Sequence, residues 1–78
     1  MYYVYLIRLC DNRIYTGSTP DLKIRVNQHK SGYVISTRDH RPLELVWYCA
    51  FRTKLRARRF ERYLKSGSGQ AFRNKRLV

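Results

Sequence analysis

The stretch "YYVYLIRLCDNRIYTG" (2–17) decides the fold. Tyr3, Tyr5, Ile7 and Leu9 alternate with Tyr2, Val4, Leu6 and Arg8, and the run is dense in aromatic and branched side chains. That is strand grammar with both faces substantially covered. "CDNR" (10–13) is a turn-forming break, and Ile14 opens a second strand, so the two make an antiparallel hairpin. In that hairpin Tyr5 and Tyr15 fall near enough in register to share one sheet face.

Working outward, Thr19 followed by Pro20 reads as an N-cap with proline at the first helical position, and Gly32 as the stop. They predict a helix over about 20–31. Residues 32–42 read as a polar, basic loop. "LELVWYCAF" (43–51) reads as a third strand, apolar enough to be central. Thr53 then caps a second helix with apolar positions Ala57, Phe60 and Leu64, "SGSG" (66–69) breaks it, and "QAFRNKRL" makes a last short helix. The expected fold is α/β of the α+β kind. A small three-stranded sheet, mixed or antiparallel, is flanked by helices in the order β-β-α-β-α with a further α.

The chain has 78 residues, 44% of them hydrophobic and 14% aromatic, which suits one small domain over 1–78 with a real core. That composition excludes a disordered basic tail. No apolar run reaches the roughly 20 residues of a membrane span, and "MYYVYLIRLC" lacks the features of a signal peptide. Cys10 and Cys49 have no metal-ligand spacing and are expected to be reduced thiols in a cytoplasmic protein.

Charge is the loudest signal. Seventeen lysines and arginines face five acids, a net charge of +12 with a pI near 10.4. Ten of the seventeen lie after position 51, where Glu61 is the only acid. Nucleic acid is the partner class this implies. An anionic membrane fits less well, because the basic segment does not separate into a basic and an apolar face.

Within "KLRARRFERYLK" (54–65), Glu61 falls inside the stripe of 57, 60 and 64 at about 100° per residue. Arg58, Arg59, Arg62 and Lys65 surround it as candidate contacts to a nucleic-acid backbone. Spacing also supports a plain intrahelical pair of Glu61 with Lys65 or Arg58, worth roughly 0.2–0.5 kcal/mol. The chemical use of a carboxylate among cations is to hold a divalent metal against phosphate, with water completing the shell. On the first helix Arg25 and His29 share a face. An arginine there could grip a phosphate and a histidine could move a proton, or the two could be a solvated flank. Tyr5 and Tyr15 fit an ordinary cross-strand pair as well as an active site.

Taken in order, "YVY" (3–5), "YTG" (15–17), an arginine on the next helix and a glutamate on the one after resemble the GIY-YIG nuclease superfamily. The tail "YLKSGSGQAFRNKRL" resembles its small, stand-alone bacterial members. Related domains occur in the excision-repair nuclease and in homing endonucleases. The resemblance implies a metal-dependent DNA endonuclease that uses one magnesium or manganese ion. It implies Tyr5, Tyr15, Arg25 and His29 as catalytic residues, Glu61 as metal ligand, Gly17 as the motif glycine and Asn74 as a further residue near the site. Tyr15 is the implied general base, directly or through His29, and Arg25 stabilises the transition state. Tyr3 stands where the first motif has glycine and Thr16 where the second has isoleucine, and Tyr3 adds bulk that could narrow the site. The implied partner is DNA, branched or single-stranded among the options, with a protein partner to supply specificity. The rival class is a basic module that binds DNA or RNA without cutting it. A third is an RNA-binding component of a particle.

Overall fold

A computed structural model describes all residues, 1–78. Its elements are β1 (Tyr2–Arg8), β2 (Ile14–Thr19), α1 (Leu22–Lys30), β3 (Glu44–Phe51), α2 (Lys54–Lys65) and α3 (Gly67–Arg76), with a short 3₁₀ turn at Arg38–His40 before β3. The α+β order β-β-α-β-α-α is the expected one.

The sheet is antiparallel throughout, in the order β2-β1-β3. The central strand is therefore β1, not β3 as the apolar run 43–51 suggested. Val4, Tyr5, Leu6 and Ile7 are all essentially inaccessible, whereas Tyr48 and Ala50 on β3 are exposed. Hydrophobicity on β3 serves one covered face of an edge strand, which composition alone does not distinguish from a strand covered on both sides. Between Leu6 and Ile7 the pairing with β3 shifts by one residue, a bulge at Val46.

The hairpin turns through Asn12, whose φ of 69° lies in the left-handed region that asparagine tolerates. Asp11 accepts hydrogen bonds from the Arg13 backbone and side chain, at 3.1 and 2.6 Å, and so fixes the turn. Tyr5 pairs with Gly17 and Ile7 with Tyr15, which puts both tyrosines on one face.

Alternation along β1 divides the core in two. Val4 and Leu6 pack with Ala57 and Leu64 of α2, under Trp47, Phe51 and Phe60. Tyr5, Ile7 and Leu9 face the other way, with Tyr15, Leu43 and Leu45 of the sheet face and Leu22 of α1. The sheet thus lies between α1 and the α2–α3 pair.

Helix ends differ from the expectation in two places. Asp21, not Thr19, is the N-cap of α1, accepting from the Ile24 N–H at 3.0 Å. Thr19 ends β2 instead, and its hydroxyl is bonded to the Asp21 backbone. Gly32 does lie just past the helix, with φ of 84°. Thr53 caps α2 as expected, accepting from Arg56 N–H at 3.2 Å. The "SGSG" break is a single residue: Ser66 ends α2 and its hydroxyl caps α3, so the following glycines are helical.

Candidate active site

Gly17 sits directly across from Tyr5. A Cβ at that position would strike the Tyr5 hydroxyl and ring. The absence of a side chain lets the phenol lie over β2 and reach α1. There the Tyr5 hydroxyl makes a 2.8 Å hydrogen bond with His29 Nε2. The other ring nitrogen, Nδ1, is 2.8 Å from Thr37 Oγ1. Tyr5, His29 and Thr37 are all buried. Tyr15 completes the cluster, its ring 5.0 Å from that of His29 and 6.4 Å from that of Tyr5 between centroids.

A neutral imidazole has one donor and one acceptor nitrogen, while a hydroxyl can do either. The chain Tyr5–His29–Thr37 is therefore satisfied with either tautomer, and one proton shift reverses its direction. Burial sets its electrostatics. It pushes the Tyr5 phenol up to about 12, against the pull of Arg25 and with the push of Tyr15 and Glu61. Burial, then the nearby Arg25 charge, brings His29 down to about 4. At neutral pH both groups are uncharged. Arg25 itself is half-buried and donates to Gln28 Oε1 at 3.1 Å.

On the opposite face of β2, the residue after Gly17 holds the acid. Ser18 Oγ donates to Glu61 Oε1 at 2.6 Å, and Lys65 Nζ donates to Oε2 at 2.8 Å. The Glu61 side chain is 19% exposed. Burial alone would raise its pKa, but the bonds from Lys65 and Ser18 and the charges of Lys65 and Arg58 outweigh it and hold the carboxylate below the ordinary glutamate range. Glu61 thus makes the intrahelical pair that spacing allowed and is also tied to the sheet. A depression of about 340 Å³ opens over it, lined by Ser18, Arg58, Glu61, Arg62 and Lys65.

Of the candidate residues, Tyr5, Tyr15 and His29 form one packed cluster, with Arg25 close enough to act on two of them. Glu61, Arg58, Arg62 and Lys65 share a second. The two meet at Gly17 and Ser18 of the edge strand. Arg59 is exposed on α2 and does not line the depression. Asn74 is exposed on α3, accepts from Arg73 Nε at 3.1 Å and touches neither cluster. Tyr3 does not narrow the site. Its ring rests edge-on against Tyr48, 6.3 Å away, near a different pocket. Both cysteines are free thiols. Two members of the arrangement were not singled out from the sequence, Thr37 and Ser18. Ser18 adjoins the second motif and could have been suspected from that. Thr37 lies in a polar loop with nothing local to mark it.

The donor set bears on a divalent ion. Nowhere do three His, Cys, Asp or Glu side chains gather as a metal cage. One half-buried carboxylate among cations does not fit zinc, which takes three or four protein ligands. It fits magnesium or manganese, which keep water and substrate oxygens in the shell.

The chain is similar in sequence to known proteins of one family. A model of the GIY-YIG catalytic domain matches residues 1–76. A UPF0213 protein of Vibrio campbellii is 43% identical over 63 residues, 80% of this chain and 61% of that protein, under two thirds of its length. A UPF0213 protein of Streptococcus agalactiae is 37% identical over 70 residues, 88% of this chain and 80% of the other. One of Haloquadratum walsbyi is 36% identical over 66 residues, 83% and 74%. No solved structure matches the chain.

Proposed function

Because the chain belongs to the GIY-YIG nuclease family, we propose that it is an endonuclease that hydrolyses phosphodiester bonds of DNA with the help of one divalent metal ion. The observation that carries this reading is the meeting of the two clusters at Gly17 and Ser18. Uncharged proton-handling groups stand on one side of the strand, and an ionised carboxylate flanked by cations stands on the other.

In this reading Arg58, Arg62 and Lys65 hold the backbone of the strand at the depression over Glu61. Tyr15, once its own phenol proton has left to solvent, takes a proton from the attacking water as the new oxygen–phosphorus bond forms. Tyr5 remains protonated, since burial holds it near 12, and acts as an orienting donor rather than as the base. His29 is the neutral link that passes hydrogen-bond polarity between Tyr5 and Thr37. Arg25 faces the negative charge that builds on the phosphoryl oxygens. The bond to the leaving oxygen breaks, and that oxygen takes a proton from solvent. Glu61 would hold a magnesium or manganese ion, which when bound would supply positive charge to the departing group.

The test is nicking of supercoiled plasmid and of labelled single-stranded DNA in magnesium, manganese or EDTA, with wild type and Glu61→Ala prepared alike. Metal-dependent strand breaks that disappear in the variant are expected. A binding-only module is the second reading, favoured by the Lys65 ammonium that already neutralises Glu61. Salt-sensitive binding without cleavage in either metal would establish it and overturn the nuclease.

A further inference from the structure

A sizeable pocket lies away from both clusters. It holds about 470 Å³ between α1 and the β3 side of the sheet. Its walls come from Tyr3, Leu45 and Tyr48 on the sheet and from Leu22, Val26 and Asn27 on α1. Tyr48 is 54% exposed although it lies directly opposite Tyr5 in the sheet register. The pocket's only two charged residues are Lys23 and Asp21, which offset one another. A phosphate has little to gain there. A flat, weakly polar ring does, because an aromatic wall offers it a stacking face and the Asn27 carboxamide offers a donor and an acceptor at the rim.

The pocket is also joined to the catalytic region. A smaller depression of about 150 Å³ shares Pro20 with it. That depression in turn shares Ser18 and Arg58 with the one over Glu61, and it adds Lys54. Three adjoining hollows with common walls thus run from Glu61 around the end of the sheet to Tyr48. Cations line the first two, and aromatic rings line the third. That is the order of chemistry a single strand presents, a charged backbone with bases to one side.

We propose that the pocket between α1 and β3 receives one unpaired base of a DNA strand, stacked against Tyr48 with Tyr3 as the supporting wall. This rests on the nucleic-acid reading above and narrows it to substrates with an unstacked nucleotide beside the bond that is cut: single strands, flaps or branches. A base held in a continuous duplex cannot enter. Tyr3, the bulky departure from the family motif, is then a specificity element that props the platform.

The experiment is fluorescence anisotropy in EDTA, so that no cleavage intervenes. It compares a labelled oligo(dT), an abasic strand of equal length and charge, and a fully paired duplex, for wild type, Tyr48→Ala and Tyr48→Phe. Wild type is expected to prefer oligo(dT) over the abasic strand by roughly 5- to 100-fold, the yield of one stacked base. Tyr48→Ala should lose that preference while keeping its salt dependence, and Tyr48→Phe should retain it. Thermal melting of Tyr48→Ala confirms that loss of the exposed ring leaves the fold intact. Salt-sensitive binding that ignores the base, or a base preference that survives in Tyr48→Ala, overturns the pocket but leaves the nuclease reading standing. Failure to bind any of the three ligands overturns both.

Discussion

Gly17 shows how a motif residue without chemistry of its own controls chemistry elsewhere. Gly17→Ala is expected to push the Tyr5 phenol off β2 and break its bond to His29. The cost is about 1–3 kcal/mol of overpacking, read as a lowered thermal midpoint together with lost cleavage while Glu61 is untouched. Thr16 offers the opposite case. Its Oγ1 is buried without a hydrogen-bond partner, at the position where the family motif has isoleucine. Thr16→Val removes the orphan at nearly constant volume and should stabilise by about 1 kcal/mol, a rise of roughly 4–8 °C for a domain of this size. His29 gives the molecule a pH dependence. Its pKa falls from 6.5 unfolded to about 4 folded, so the unfolded chain binds the extra proton in that window. Stability is therefore full above pH 6.5 and declines as pH drops toward 4, by about 2–3 kcal/mol. Urea titrations at several pH values check this, and the His29→Gln variant should lack that component. At this scale the tyrosines, the arginine and the glutamate were legible because they occupy ordered motifs. Thr37 was not, since its role depends on a loop folding back onto a helix.

Among the elements, α1 is secured by little apolar burial. Only Val26 and His29 of its residues are buried, so the histidine that takes part in the site also helps hold the helix to the sheet. The Asp21 cap consequently matters more than it would on a helix with a broad apolar face. Asp21→Ala is expected to cost about 1 kcal/mol and to loosen α1 selectively, seen as faster amide exchange over 22–30 than over α2. The sequence placed this helix but capped it two residues early, because Thr-Pro is as good a start signal as Pro-Asp until the strand before it is known to consume Thr19. The same kind of ambiguity hid the start of α3. Glycines that break a helix in isolation are tolerated here because Ser66 provides a cap and the chain resumes at once.

Over the whole molecule, a charge of +12 on 78 residues means self-repulsion. Few ion pairs offset it, and most of the basic side chains are exposed. Moderate sodium chloride should therefore raise the thermal midpoint by screening, and a short oligonucleotide should raise it further by binding the native state. Calorimetry or circular dichroism reads both, and a midpoint that falls with salt would show that the pairs outweigh the repulsion. The number and order of elements were legible because periodicity and turn residues are local. The strand order was not: 2–8 and 44–51 are both apolar, and only the tertiary arrangement of helices decides which is covered twice. That arrangement bears on how the protein is made. The central strand emerges from the ribosome ahead of both its partners and can form the hairpin with its near neighbour. Its other side stays open until the chain has been translated as far as Phe51, the partner of Tyr2. Glu61 emerges later still. A nascent chain thus carries its tyrosines long before it carries the acid proposed to recruit the ion, and on that reading it stays harmless to the nucleic acid around it until α2 is out.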